Sequence, residues 1–307
     1  MIDVRRLRVL HAVSEHGSVT AAAAALGYSA PAVSQQLAAL EREVGVPLTE
    51  RAGRGIDLTP AADILVAHAT ALLACLDAAE ADIAALRDQV AGRVTLGAFP
   101  SAAASLIPSA WAVLRETAPH VTLRMEEMEP EESLPSVRNG DVDVAVAHEY
   151  DLLPRPLDPL FERRELLRDP VLVAVPAGGS DCPDGLDGPV DLADLGGRPF
   201  LAPRRNTSCA EMIQRACARA GFVPDVAARA SDFHVLLSLV AAGAGVTLVP
   251  RLAARLPPRG VRLLEPAEPV TRAVFAVSRR GGDRRPAVRV VLDILAEQAV
   301  AVQEPQW

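Results

Sequence analysis

The sequence predicts an all-α N-terminal head carrying one small β hairpin, then a long linker helix, then an α/β unit of two subdomains. Three observations carry this. Within residues 1–59 apolar positions recur at helical spacing, and a glycine follows each run. Residues 60–90 hold no glycine and no proline after Pro60. Beyond Gly92, short β-branched runs alternate with helical ones, the rhythm of βαβ units and a mainly parallel sheet. With 307 residues, half of them hydrophobic, the chain is long enough for two or three packed domains.

In the head, Val4, Leu7, Leu10 and Val13 place one apolar face on a helix over residues 4–14, ended by Gly17. Ser18 is positioned to cap a second, alanine-rich helix over 19–26, and Gly27 supplies its left-handed stop. Ser29 caps a third helix, which tolerates Pro31 in its first turn and runs to Val44 before Gly45. Two helices joined by a short glycine-containing turn form a helix-turn-helix. Along the third helix Val33, Leu37 and Leu40 face inward; Pro31, Gln35, Ala38 and Arg42 lie opposite, with Ser34 on the flank. A helix that enters the DNA major groove needs small residues and a few donors. Gln35 can read adenine through two hydrogen bonds, and Ser34 can bond a base or a phosphate. Arg51 and Arg54, interleaved with Gly53 and Gly55, read as a tight hairpin, a wing suited to phosphate or the minor groove. The predicted contacts of this winged helix-turn-helix with double-stranded DNA are therefore Ser18, Ser29, Pro31, Ser34, Gln35, Arg51 and Arg54. Six arginines against six acidic residues leave residues 1–58 locally neutral, so affinity must come from placement, helix N-termini and dimerisation. The alternative is a small packing domain with solvated arginines.

Residues 60–90 form the linker. Leu65, Ala69, Leu72, Leu76, Ala79, Ile83, Leu86 and Val90 alternate spacings of four and three, an a/d seam. Asp77, Glu80, Asp82 and Asp88 lie off it. Such a seam favours a partner helix over packing on its own chain, and dimerisation doubles the reading head onto two half-sites.

After Gly92, strands are expected at 94–96, 121–125 and 142–147, with helices at 101–116 and 131–139. The rhythm recurs with strands at 171–175, 199–202, 226–229 and 246–249 and helices at 208–220 and 232–242; 177–189 reads as a loop. A strand at 274–277 and a helix at 287–301 return to the first half. This places subdomain I at 91–164 and 269–307 and subdomain II at 165–268, joined by two crossings. A ligand is expected in the cleft between halves, at the carboxyl ends of strands. Phe99, Pro100 and Ser101 join a strand to a helix start; Arg204, Asn206 and Thr207 do the same in the other half. Two helix N-termini facing across a cleft suit a small anion or carboxylate. Met128, Asp232, Phe233 and Thr247 complete the predicted effector set, with ordinary capping by Ser101 and Ser208 as the alternative.

The runs at 11–23 (His-Ala-Val-Ser-Glu-His-Gly-Ser-Val-Thr-Ala-Ala-Ala), 29–37 (Ser-Ala-Pro-Ala-Val-Ser-Gln-Gln-Leu), 40–48 and 50–55 (Glu-Arg-Ala-Gly-Arg-Gly) resemble the opening of LysR-type transcriptional regulators. Two positions depart: Thr49 stands where that family usually has Phe, and Ala62 where a Gly usually follows the wing. The resemblance implies homodimers through the linker helix, often homotetramers, contact with RNA polymerase, and a periplasmic-binding-protein-like effector domain with contacts in the loops named above. For the α/β part it rests on domain order.

Other classes lose ground on composition and motifs. All 31 basic residues are Arg, so a Schiff-base or phosphate-loop lysine is absent. A formal charge of -8 argues against a generally basic nucleic-acid coat, and 3% aromatics against single-strand stacking platforms. There is no G-x-S-x-G, H-E-x-x-H or C-x-x-C; the six His are scattered, and Asp141 and Asp143 read as a solvated edge. No catalytic residue, metal site or cofactor is expected. Cys75, Cys182, Cys209 and Cys217 read as structural thiols; the last two sit too far apart on one helix, about 12 Å, for a disulfide. With no signal peptide and no apolar run of membrane length, a cytoplasmic chain without membrane contact is expected. The expected function is a sequence-specific DNA-binding transcriptional regulator modulated by a small-molecule effector. The alternative is a small-molecule binding protein whose N-terminal helices serve assembly only.

Overall fold

The computed structural model describes residues 2–52, 55–85, 90–156, 158–178 and 188–303. The chain divides into two compact units, residues 1–89 with 138–141, and 90–137 with 142–307.

The first unit contains α1 (Val4–His16), α2 (Val19–Leu26), α3 (Ala30–Val44), the hairpin β1 (Thr49–Ala52) and β2 (Gly55–Leu58), and α4 (Pro60–Ala85). Each early helix begins and ends within a few residues of its signal. The side chains of Asp3, Ser18 and Ser29 accept the N–H groups of Arg5, Ala21 and Ala32. Gly17, Gly27 and Gly45 close the three helices in the left-handed region, at φ 65°, 69° and 77°. Leu7, Leu10, Val13, Val33, Leu37 and Leu40 meet in one core. Val4, expected on the buried face of α1, is exposed, and Val9 is buried instead. The reason is that α1 packs against α2, α3 and α4, so its covered surface is wider than one stripe and excludes the first turn. The linker seam also divides. Leu65 and Ala69 join the head's own core, whereas Leu72 and Leu76 are exposed. Leu86 lies outside the described residues.

The second unit contains β3 (Gly92–Ala98), α5 (Pro100–Ser105), α6 (Ile107–Thr117), β4 (Val121–Glu127), α7 (Pro130–Asn139), β5 (Val144–Tyr150), β6 (Phe161–Pro176), β7 (Pro199–Pro203), α8 (Ser208–Arg219), β8 (Asp225–Ala230), α9 (Phe233–Ala241), β9 (Thr247–Pro250), β10 (Val261–Leu264), β11 (Thr271–Arg279) and α10 (Pro286–Gln303). The helix expected over 101–116 is two, because Pro108 can neither donate to the preceding turn nor leave room for it. The sheet is mixed, not mainly parallel. β3 runs parallel to β4 and β5, but β11 lies between β5 and β6 and runs antiparallel to both, and β9 and β10 add antiparallel to β6. The cause is β6 itself. Its first half pairs with β11 and its second half with β9 and β10, so one strand of 16 residues leaves the first layer and enters the next, and β11 returns beside it. The sequence reading found only 171–175, since Glu162, Arg163, Arg164, Glu165 and Arg168 look like a solvated segment. Apolar cores lie on both faces of each layer: α5, α6 and α10 against one face of the β3–β5 layer, α7 against the other, and α8 and α9 around β6, β7 and β9.

Candidate functional site

On α3, Pro31, Ser34, Gln35 and Ala38 form an exposed face opposite buried Val33, Leu37 and Leu40. The Arg42 guanidinium is tied back to the Ala38 carbonyl (3.2 Å). Ser18 and Ser29 hold the starts of α2 and α3, their hydroxyl oxygens accepting the Ala21 and Ala32 N–H groups at 3.1 and 3.4 Å, which leaves each O–H as a donor. Tyr28, in the turn between α2 and α3, is 54% exposed. The sequence offers no spacing signal for it; an exposed tyrosine hydroxyl belongs to the side-chain types that donate to DNA phosphates. Arg51 lies in β1 opposite Ile56, and Arg54 lies outside the described residues.

In the α/β unit the carboxyl ends of β3 and β5 and the start of α8 bring buried polar groups together. Arg272 on β11 is 1% exposed. Its Nε and Nη2 both donate to Asp169 Oδ2 at 2.8 Å, and Nη2 donates to Ser101 Oγ at 2.8 Å. Its guanidinium carbon lies 4.8 Å from the Phe99 ring centre. His148, fully buried on β5, packs edge-on against Phe99 and Tyr150, with centroids at 4.7 and 5.3 Å. The Tyr150 hydroxyl is 3.2 Å from Cys209 Sγ, in the first turn of α8. His148 Nε2 is 3.6 Å from Glu129 Oε2 and 4.0 Å from Cys209 Sγ. Nearby, the N–H of Ser208 donates to Glu131 Oε1 (3.3 Å), and Glu131 also pairs with Arg155. The N-terminus of α8 is thus met by a carboxylate of the protein itself.

Burial dominates the electrostatics. It lowers His148 well below the imidazole range, and Arg272 adds to this, so the ring is neutral. Burial raises Glu129, with the Glu131 charge adding to it, and pushes the Cys209 thiol up to about 12. For Glu131 burial acts upward, but a hydrogen bond from its own backbone N–H and the Arg155 charge outweigh it and the carboxyl is lowered. Burial opposes the Arg272 charge too, and Asp169 more than offsets it, so the pair remains ionised. A thiol held protonated and a neutral imidazole do not activate a nucleophile; the cluster is built to bind and to hold.

Some predicted effector residues do not join it. The capping assignments of Ser101 and Ser208 are corrected. Phe99 precedes α5 without a side-chain cap, Ser101 serves Arg272, and the cap of α8 is Thr207, which accepts the Ala210 N–H (3.2 Å). Ser208 is the first helical residue, with a buried hydroxyl. Pro100 opens α5, and Met128 packs beside α7. Arg204 and Asn206 are exposed at the turn before Thr207; Asn206 takes φ 64°, the left-handed value that lets the cap form. Asp232 caps α9 through the His234 N–H, Phe233 packs under it, and Thr247 is buried in β9. Asp143 is not a solvated edge: it accepts the Thr95 N–H and hydroxyl (2.8 and 2.9 Å) and pairs with Arg285.

Two family models match the chain. Residues 4–63 match the bacterial regulatory helix-turn-helix protein model of the lysR family, and residues 87–300 match the LysR substrate binding domain. The chain belongs to the LysR family of transcriptional regulators. The HTH-type transcriptional regulator TfdS of Cupriavidus pinatubonensis is 30% identical over 295 residues, 95% of this chain and 97% of that protein. The dual regulator OxyR of Escherichia coli is 28% identical over 292 residues, 92% and 90% of the two chains. A solved full-length OxyR variant from Pseudomonas aeruginosa superposes with a TM-score of 0.78 at 22% identity, covering 96% of this chain and 95% of that one. Full-length CbnR complexed with its target DNA gives 0.62 at 24% identity, covering 96% and 99%. At these identities the two structures bear on the fold alone. As a LysR-type protein the chain is a DNA-binding transcription regulator with an effector-binding domain, not an enzyme. No helix among the described residues is long and apolar enough to cross a membrane. Where this LysR-type head departs from the usual pattern, it finds local substitutes. The Thr49 N–H and hydroxyl (each 3.1 Å) and the Leu48 N–H (2.8 Å) all donate to Glu41 Oε1, anchoring the wing to α3, and Ala62 fills the head core.

Proposed function

We propose that this LysR-family regulator reads duplex DNA with the exposed α3 face of Ser34 and Gln35, flanked by phosphate contacts from Tyr28, Arg51 and Arg54. Its response is set by a small anion or carboxylate bound between subdomain I (91–164 and 269–307) and subdomain II (165–268). The observation that carries the effector reading is the start of α8. Its Ser208 N–H already holds the carboxylate of Glu131 beside Arg155. That end of the helix carries the positive end of the dipole, and its first N–H is already engaged by a carboxylate, so a second carboxylate can compete for the same place. A carboxylate effector takes the place of Glu131, releases α7 from α8 and shifts the angle between the halves. The shift follows from different affinities of the effector for the two arrangements. The exposed Leu72 and Leu76 of α4 support pairing of two chains, as a homodimer or a homotetramer, in the cytoplasm with RNA polymerase as the downstream contact. The test is a titration of small carboxylates against the full-length protein, read by thermal shift and by mobility of the DNA upstream of its own gene. Binding about 10-fold tighter in Glu131→Gln than in wild type is expected, since one competitor is removed. Equal affinity in both proteins contradicts displacement of Glu131.

A further inference from the structure

We propose that Glu129, His148 and Cys209 form a binding site for one thiophilic divalent cation of the zinc class, with a fourth position open to solvent or a small ligand. One carboxylate oxygen, one imidazole nitrogen and one thiol sulfur converge, all within 4.8 Å of one another. That mixed donor set suits a borderline-soft ion and not magnesium or calcium, which take oxygen. Spacing points the same way. Glu129 Oε2 and Cys209 Sγ stand 3.6 and 4.0 Å from His148 Nε2. The first is beyond an ordinary N–H···O hydrogen bond of about 2.7–3.2 Å. Ligands sharing one tetrahedral ion at bond lengths of about 2.0–2.3 Å stand roughly 3.3–3.7 Å apart, so small shifts complete the site.

The polar atoms also lack other work. Glu129 Oε2 is buried and has no hydrogen-bond partner among the described residues. A desolvated, unpartnered carboxylate oxygen is costly, and a cation satisfies it. Around the cluster Arg272 pairs with Asp169 and Arg155 with Glu131, so both arginines are engaged elsewhere and act on Glu129 only from a distance. The Tyr150 hydroxyl, 3.2 Å from Cys209 Sγ, is placed to donate to a thiolate as an outer-shell group. The His148 ring is fixed by Phe99 and Tyr150, and its Nδ1 has no hydrogen-bond partner among the described residues. Binding exchanges the thiol proton for the ion: the S–H bond breaks, the sulfur–metal bond forms, and the proton leaves to water. Because Glu129 and His148 precede the crossing strand β6 and Cys209 follows it, the ion fastens the two chain segments to each other. His148 and Cys209 are 61 residues apart, so no short spacing motif announces the site.

The test titrates cobalt(II) alone into chelator-treated full-length protein, reading thiolate-to-cobalt charge-transfer absorption, with zinc(II) as competitor. One cobalt per chain with that absorption is expected. Cys209→Ser and His148→Gln weaken binding by at least ~100-fold, more than the roughly 10-fold expected of Tyr150→Phe. Cys217→Ser and a Cys75→Ser/Cys182→Ser double variant leave it unchanged. Glu129→Gln, at a partly exposed position, keeps the fold and weakens binding should the buried variants fail to fold. Absence of the absorption overturns the proposal. So does unchanged affinity in Glu129→Gln, or loss of the signal only in the Cys75/Cys182 variant.

Discussion

The head and the α/β unit use polar side chains over different ranges. In the head several close helix ends locally, and a longer link such as Arg6 to Glu43 spans 37 residues. Ser18 and Ser29 each bond an N–H three residues on, and Arg42 bonds a carbonyl four residues back. In the α/β unit they bind the chain to itself over long intervals. Thr95 meets Asp143 across 48 residues, Asp169 meets Arg272 across 103, and Ser101 meets Arg272 across 171. The first kind of bond sets where an element begins; the second sets which elements meet. The LysR-type regulator therefore joins a head whose helix ends are set locally to a buried polar cluster set only by the finished topology.

The sharpest way to break this comparison is at Arg272. Arg272→Leu leaves Asp169 charged in a buried setting, a loss of about 3–5 kcal/mol. Urea denaturation should show it in the α/β transition, while the helical signal of the head melts where it did before. Leu40→Ala in the head core should cost about 2–5 kcal/mol and move the head transition instead. Gln35→Ala should leave both transitions in place and relax sequence choice by about 1–3 kcal/mol at one base pair, measured by competition with single-base variants. Ser29→Ala, which removes one cap, should cost about 1 kcal/mol. The smallest effect concerns acid. The Glu131 carboxyl is lowered in the folded chain, so its contribution is present above the unfolded carboxylate range and is lost as pH falls through the folded value. Wild type should lose more stability than Glu131→Gln between about pH 5 and 3 in acid titrations followed by circular dichroism.

The same contrast explains what could be read from the sequence. The three helices of the head, their glycine stops and the exposed face of α3 follow from spacings of three and four, and all of them stand in the structure. Most strands after Gly92 were equally legible, because buried strands are apolar runs. The buried polar cluster was not. Arg272 and His148 sit within or at the end of apolar strands, where a lone polar residue reads as an edge. Glu129 and Glu131 belong to an acidic run that reads as solvated. Their partners lie on other elements, and no local spacing announces them. Ser101 and Ser208 looked like caps because each stands at a helix start, but both lie inside their helices: α5 opens one residue earlier, at Pro100, and α8 opens at Ser208 itself, which leaves the capping role to Thr207.

The most direct test of the account is a mobility shift with the full-length protein and its Gln35→Ala variant, on the DNA upstream of the gene and on a scrambled duplex, at two salt concentrations. Wild type should prefer the upstream DNA, binding more weakly as salt rises, and Gln35→Ala should bind both duplexes with the same salt slope and a reduced preference. Unchanged affinity and preference in the variant would contradict the placement of α3 in the major groove.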